Sequence, residues 1–158
     1  MLYNALILPY LNYCNITWGN CSKTKLDHIF LLQKKAVRIC TNSPYLMHTN
    51  PLFYELKILK VYDINILHTA LFMFRYTKEL LPPIFSNLFV YNRNVHSYPT
   101  RTSNNIHLNN PKILIAHKSL RHHGPDIWNT LPNFIKQSTY LNRFKRIMKK
   151  MLINTDTL

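Results

Sequence analysis

The side chains in this sequence with the means to do chemistry are mostly cations, grouped at helical spacing. Lys34, Lys35 and Arg38 form one group, and Arg143, Lys145, Arg146, Lys149 and Lys150 form another, with Arg101 and Arg121 between them. Such a pattern suits a phosphate backbone, which it would hold without reading base sequence. The acidic residues offer no counterpart. Asp27, Glu55, Asp63, Glu79, Asp126 and Asp156 all stand apart, with no Asp-Asp pair among them. Two-metal phosphoryl transfer needs clustered carboxylates, so the spacing argues against that chemistry. Cys14, Cys21 and His28 are too widely spaced for a zinc knuckle and lack a fourth ligand, and the adjacent His122 and His123 make no preset metal site. No nucleophile elbow, phosphate loop or dinucleotide fingerprint occurs. The sequence therefore predicts no catalytic residue, no metal and no cofactor.

Composition narrows the class. The 158 residues are 47% hydrophobic, enough for the core of one domain, and only 2 are glycine, which argues against a β-sandwich. The net charge of +14 favours a polyanion partner, RNA or DNA before an anionic membrane surface. Residues 1–79 carry 9 Lys/Arg against 4 Asp/Glu and residues 80–158 carry 11 against 2, so the second half is the more basic. A ribosomal or packaging protein would rarely combine this charge with so many aromatic and aliphatic residues. Three cysteines with no secretory signal ahead of them suggest reduced thiols in the cytosol or nucleus. The apolar stretch Met1 to Leu11 is well short of the ~20 residues a membrane span needs, so no membrane partner is expected.

The cations need elements to position them. Thr24 reads as a helix cap, with Asp27 reaching back three residues later. Leu26, Ile29, Phe30, Val37 and Cys40 then form an apolar stripe that Gln33 interrupts, and Lys34, Lys35 and Arg38 lie off it. Asn42, Ser43 and Pro44 end that helix. Ahead of it, Leu2, Leu6 and Ile7 share a helical face that starts in mid-pattern, as in a chain beginning inside a larger fold. Pro51 opens a short helical turn. From about Lys60 to Lys78 the sequence is apolar nearly all round, which predicts a buried central helix with His68 as a hydrogen-bonded core residue. Pro82 and Pro83 stop it, and Ile84 to Leu88 allow one more turn.

Tyr91 to Asn110 is asparagine-rich and aperiodic: either a linker, or a loop in which Arg93, His96, Tyr98 and Arg101 contact phosphate and base. Ile113 to Ile115 suits a short strand, extended through Arg121. Gly124-Pro125 reads as a turn before one helical turn with Ile127, Trp128 and Leu131 inward. The last helix, about Thr139 to Ile153, has Leu141, Phe144, Met148, Met151 and Leu152 as its apolar seam. Its cations suit a solvated face, a phosphate-binding face or a membrane surface.

Several blocks in order carry a resemblance: Pro9-Tyr10-Leu11, Tyr13-Cys14, Trp18-Gly19, Leu32-Gln33-Lys34-Lys35-Ala36-Val37-Arg38-Ile39, His96-Ser97-Tyr98-Pro99-Thr100-Arg101, Gly124 to Pro132 and the basic helix with Phe144-Lys145. Together they resemble the region following the polymerase core in non-LTR retrotransposon reverse transcriptases of the jockey-like and CR1-like kinds. The family's catalytic carboxylate motif has no match in this chain.

The expected fold is mainly α: a helical module with a buried central helix, a polar loop and one small β element near 113–121. Two parts are expected, a thumb-like helical region at 1–90 and a polar loop, short β/turn segment and basic C-terminal helix at 91–158. The resemblance implies a non-catalytic C-terminal fragment of an RNA-directed DNA polymerase that is intracellular, cytoplasmic or nuclear. It would hold template RNA or target DNA through Lys34, Lys35, Arg38, Arg101, Arg121, Arg143, Arg146, Lys149 and Lys150, beside an upstream polymerase core. The alternative is a structural or protein-interaction module, or a decayed element fragment without activity.

Overall fold

The computed structural model describes residues 2–95, 98 and 100–155, without the side chains of Leu114 and Thr155. The chain is mainly helical, and among the described residues there is no β-strand. In order come α1 (Leu2–Leu6), α2 (Leu8–Asn12), α3 (Asn15–Trp18), α4 (Lys23–Cys40), α5 (Asn50–Glu55) and α6 (Val61–Thr77). A single 3-10 turn (Pro83–Phe85) precedes α7 (Asn92–Val95), α8 (Leu114–His117), α9 (Leu120–Thr130), α10 (Asn133–Lys136) and α11 (Leu141–Thr155). Two compact units result: Met1–Leu67 with Met148–Leu158, and His68–Ile147.

The first unit is built around α4. Leu26 and Val37 are buried as the apolar stripe requires, but so is Gln33, which keeps only 2% of its surface exposed. Its side-chain nitrogen donates to the Tyr3 hydroxyl (2.7 Å) and the Leu59 carbonyl (2.8 Å), and its oxygen accepts from the Val61 amide (2.9 Å). A buried amide is stable only when its donors and acceptor are all answered, and here they are. This knot joins α1, α4 and the start of α6. Phe30 packs on Phe53 and, edge-on, on Tyr62, with ring centroids 6.0 and 5.3 Å away.

Two local expectations are corrected in this unit. Ser22, not Thr24, occupies the cap position of α4, with no side-chain cap bond, and the Asp27 carboxylate accepts from the Tyr62 hydroxyl. Burial and that hydrogen bond push Tyr62 up to about 12. At the N-terminal end, Tyr3 is the buried residue of α1 while Leu2 and Leu6 are exposed, because Tyr3 alone can answer Gln33. Gly19 permits a close approach: a Cβ there would collide with the Asn65 amide, which donates to Asn15.

The second unit gathers around the later part of α6. Ala70, Leu71, Met73 and Phe74 are buried, as predicted for the central helix. Phe74 packs on Phe144 at 4.6 Å between centroids, and Trp128 lies 6.0 Å from the same ring. His68 is half-buried; burial, then the fields of Lys145 and Arg75, hold its imidazole below the ordinary histidine range.

The β element expected near 113–121 is not there. Residues 114–117 form α8 and residues 120–130 form α9. Ile113 and Ile115 carbonyls accept from the amides of Ala116 and Lys118, so local bonds satisfy the backbone where no neighbouring strand is available. Nor do Gly124 and Pro125 turn the chain: α9 runs through both. A Cβ at Gly124 would lie 2.8 Å from the Met73 sulfur, so the glycine lets α9 approach α6 closely. Burial of Ile127, Trp128 and Leu131 then holds a helix that Pro125 would otherwise weaken.

The asparagine-rich segment closes on itself. An isolated antiparallel bridge joins Tyr91 to Ile106, Asn92 and Arg93 amides donate to the Asn105 and Ser103 carbonyls, and Asn129 clamps both backbone groups of Ile106. Its base is thus pinned by a fully buried Ile106. His96, Ser97 and Pro99 lie outside the described residues.

Candidate nucleic-acid interface

The nine cations fall in both units. Lys34, Lys35, Arg38, Lys149 and Lys150 belong to the first, and Arg101, Arg121, Arg143 and Arg146 to the second. Residues 68–147 carry 11 Lys/Arg against 2 Asp/Glu, and the remainder carry 9 against 4.

On α4 the three cations differ in what holds them. The Lys34 ammonium sits over the Phe30 ring, 4.4 Å from its centroid. Arg38 donates from Nε to the Met47 carbonyl at 2.9 Å, which fixes its guanidinium with the terminal nitrogens left over. Lys35 is exposed, and with Arg38 it lines a pocket of about 400 Å³ whose other walls are Ile39, Asn42, Ser43 and Tyr45.

On α11 the apolar seam is buried at Phe144, Met148 and Leu152, which turns Arg143, Lys145, Arg146, Lys149 and Lys150 outward. All five are exposed, and the helix carries no acidic residue. Arg101 and Arg121 are also exposed, the first in the closed loop and the second in the first turn of α9. Lys136 is different: its ammonium donates to the Asn129 carbonyl at 3.0 Å, and burial lowers its pKa, which marks a structural lysine.

Sequence reasoning missed two arrangements. One is Tyr45 with Asn42 and Ser43 beside Lys35 and Arg38; the available signal was an aromatic residue directly after a helix-ending Asn-Ser-Pro. The other is the pairing of Arg93, itself named above as a candidate contact, with Tyr91: the guanidinium stacks 4.9 Å from the ring centroid in a cleft of about 580 Å³.

Among the described residues no three His, Cys, Asp or Glu side chains gather as a metal site would require. Cys14, Cys21 and Cys40 are not joined in disulfides. His122 pairs through Nε2 with Nδ1 of His117 (3.3 Å), not with His123. No helix among the described residues is long and apolar enough to cross a membrane. The chain matches no protein-family model, no curated protein and no solved structure.

Proposed function

We propose that this chain binds the backbone of RNA or DNA as the post-polymerase, C-terminal part of a non-LTR retrotransposon reverse transcriptase, with no polymer chemistry of its own. The observation that carries the binding is α11: five outward cations on a helix without one carboxylate. A face kept only for solubility usually mixes in acids at i,i+4, which here would cancel the field a phosphate meets. The blocks quoted from the sequence support the parentage, and the dispersed acidic residues support a role in holding a strand rather than extending it. In this reading the catalytic carboxylates belong to the upstream core, and the cations steady template and primer beside it.

Replacing Arg143, Arg146, Lys149 and Lys150 together by Gln tests the reading. These side chains are exposed, so the fold should survive, and affinity for RNA should fall by roughly tenfold or more at low salt. Unchanged affinity would remove α11 from the interface. Primer extension with magnesium should give no product.

A second reading rests on its own observation. Leu31, Leu32 and Ile39 of α4 are exposed apolar residues, which suits a face covered by another protein surface, such as a polymerase core. Binding to a partner core that persists at high salt would favour it.

A further inference from the structure

The end of α4 carries a pocket that the overall charge does not explain. An exposed helix C-terminus normally repels phosphate, because its last carbonyls are unanswered and the dipole is negative there. Here three of them are occupied. Amides of Thr41, Ser43 and Asn42 donate to the carbonyls of Val37, Arg38 and Ile39 at 3.0, 2.9 and 3.2 Å, and the Thr41 hydroxyl is shared between Val37 and Arg38. Asn42 takes a left-handed conformation (φ 51°) to close this cap. The charged residues that line the pocket are both cations, Lys35 and Arg38, the second already steered by Met47. In the same lining, Ile39 and Tyr45 are 79% and 73% exposed. Large apolar groups left this open beside an anchored guanidinium and an exposed lysine suit a ligand with both an anion and a flat apolar face.

We propose that this pocket takes one nucleotide step of a single strand, with phosphate on Lys35 and Arg38 and the unpaired base against Tyr45. The inference rests on the nucleic-acid reading above and makes it specific for unpaired strands. Its volume of about 400 Å³ is in the range of small-molecule sites. A duplex keeps its bases paired and stacked inside, so it can present phosphate here but no face to the ring. An anionic bilayer is the other surface that answers cations beside open apolar groups, and Leu46, 87% exposed next to Tyr45, makes it the competitor. Asn42 and Ser43 in the same lining favour a nucleotide, since their polar groups find hydrogen-bond partners on a base or sugar and none among acyl chains.

The test uses the full chain and fluorescence anisotropy with a short single-stranded RNA and its duplex, alongside sedimentation with phosphatidylserine vesicles. Tyr45 is exposed, so Tyr45→Ala should fold, as circular dichroism would check. Loss of one stacked base should weaken single-strand binding by roughly tenfold, leave duplex binding unchanged and leave the salt dependence unchanged. Tyr45→Phe should restore the wild-type value. Arg38→Gln should instead reduce the log–log salt slope on the single strand by about 0.7. If Tyr45→Ala leaves single-strand binding intact, or weakens duplex binding equally, the pocket assignment is wrong while the backbone-binding reading stands. If it abolishes vesicle binding and spares RNA, the pocket is a membrane contact. If the wild-type chain binds no nucleic acid at all, both readings fall together.

Discussion

Helices α4 and α11 share a sequence pattern, an apolar stripe flanked by lysine and arginine, and the structure treats them differently. On α4 the protein engages its own cations: Lys34 rests on Phe30 and Arg38 is tied to Met47. The buried side of α4 is polar at its centre, where Gln33 answers Tyr3, Leu59 and Val61. On α11 the buried side is wholly apolar, through Phe144, Met148 and Leu152, and the five cations are left in water. Side chains held in place lose little entropy on meeting a ligand, so α4 is suited to shape-dependent contact. Mobile cations in water give attraction with little geometry, so α11 is suited to holding any phosphate backbone.

The comparison is broken most forcefully through the buried sides. Phe144→Ala should cost about 3–5 kcal/mol in urea unfolding, the usual range for emptying an aromatic core site. Gln33→Met, which keeps the size but leaves the Leu59 carbonyl and Val61 amide unanswered, should cost about 2–4 kcal/mol. If Gln33→Met were neutral, the polar knot would not be what orders the first unit.

A second contrast is in pH. Burial holds His68 and His123 below the ordinary histidine range; Lys145 and Arg75 add to this for His68, whereas at His123 Asp126 opposes it. A histidine depressed in the folded state binds its proton more readily when unfolded. Its contribution is therefore fully present above about pH 6.5 and is lost as pH falls below that value. The melting temperature should drop between neutral and mildly acidic pH, and His68→Gln should flatten that dependence. A profile that rises on acidification would contradict the assignment.

The smallest effect separates neighbouring cations. Lys34→Gln should change stability by about 0.5–1 kcal/mol through the lost contact with Phe30, and change RNA affinity little. Arg38→Lys should weaken RNA binding more than Lys34→Gln does, because a lysine cannot reproduce the anchored fork. Equal effects would show that anchoring on α4 is irrelevant to binding.

What the sequence discloses follows from which forces are local. The continuous apolar run in α6 and the stripes of α4 and α11 are legible because burial repeats at the helical period. Trp128 is legible as a core anchor from its apolar neighbours. Gln33 reads as an interruption, since its partners Tyr3 and Leu59 are distant in sequence. The segment from Ile113 to Arg121 misleads because β-branched residues favour a strand only when a neighbour strand exists, and here none is offered. Gly124-Pro125 misleads because turn signals are weighed without the contact to Met73 that overrides them. The cations are visible one by one, but that Arg38 is anchored and Tyr45 open beside it depends on the cap closing α4.

The most direct measurement is the affinity of the full chain for single-stranded RNA over a series of salt concentrations. The proposed backbone contacts through Lys35, Arg38 and the α11 cations predict a straight log–log plot falling by about 0.7 per phosphate contact, and hence a slope steeper than about −2. A flat plot, or no binding at low salt, would contradict the claim that these helices hold a nucleic-acid strand.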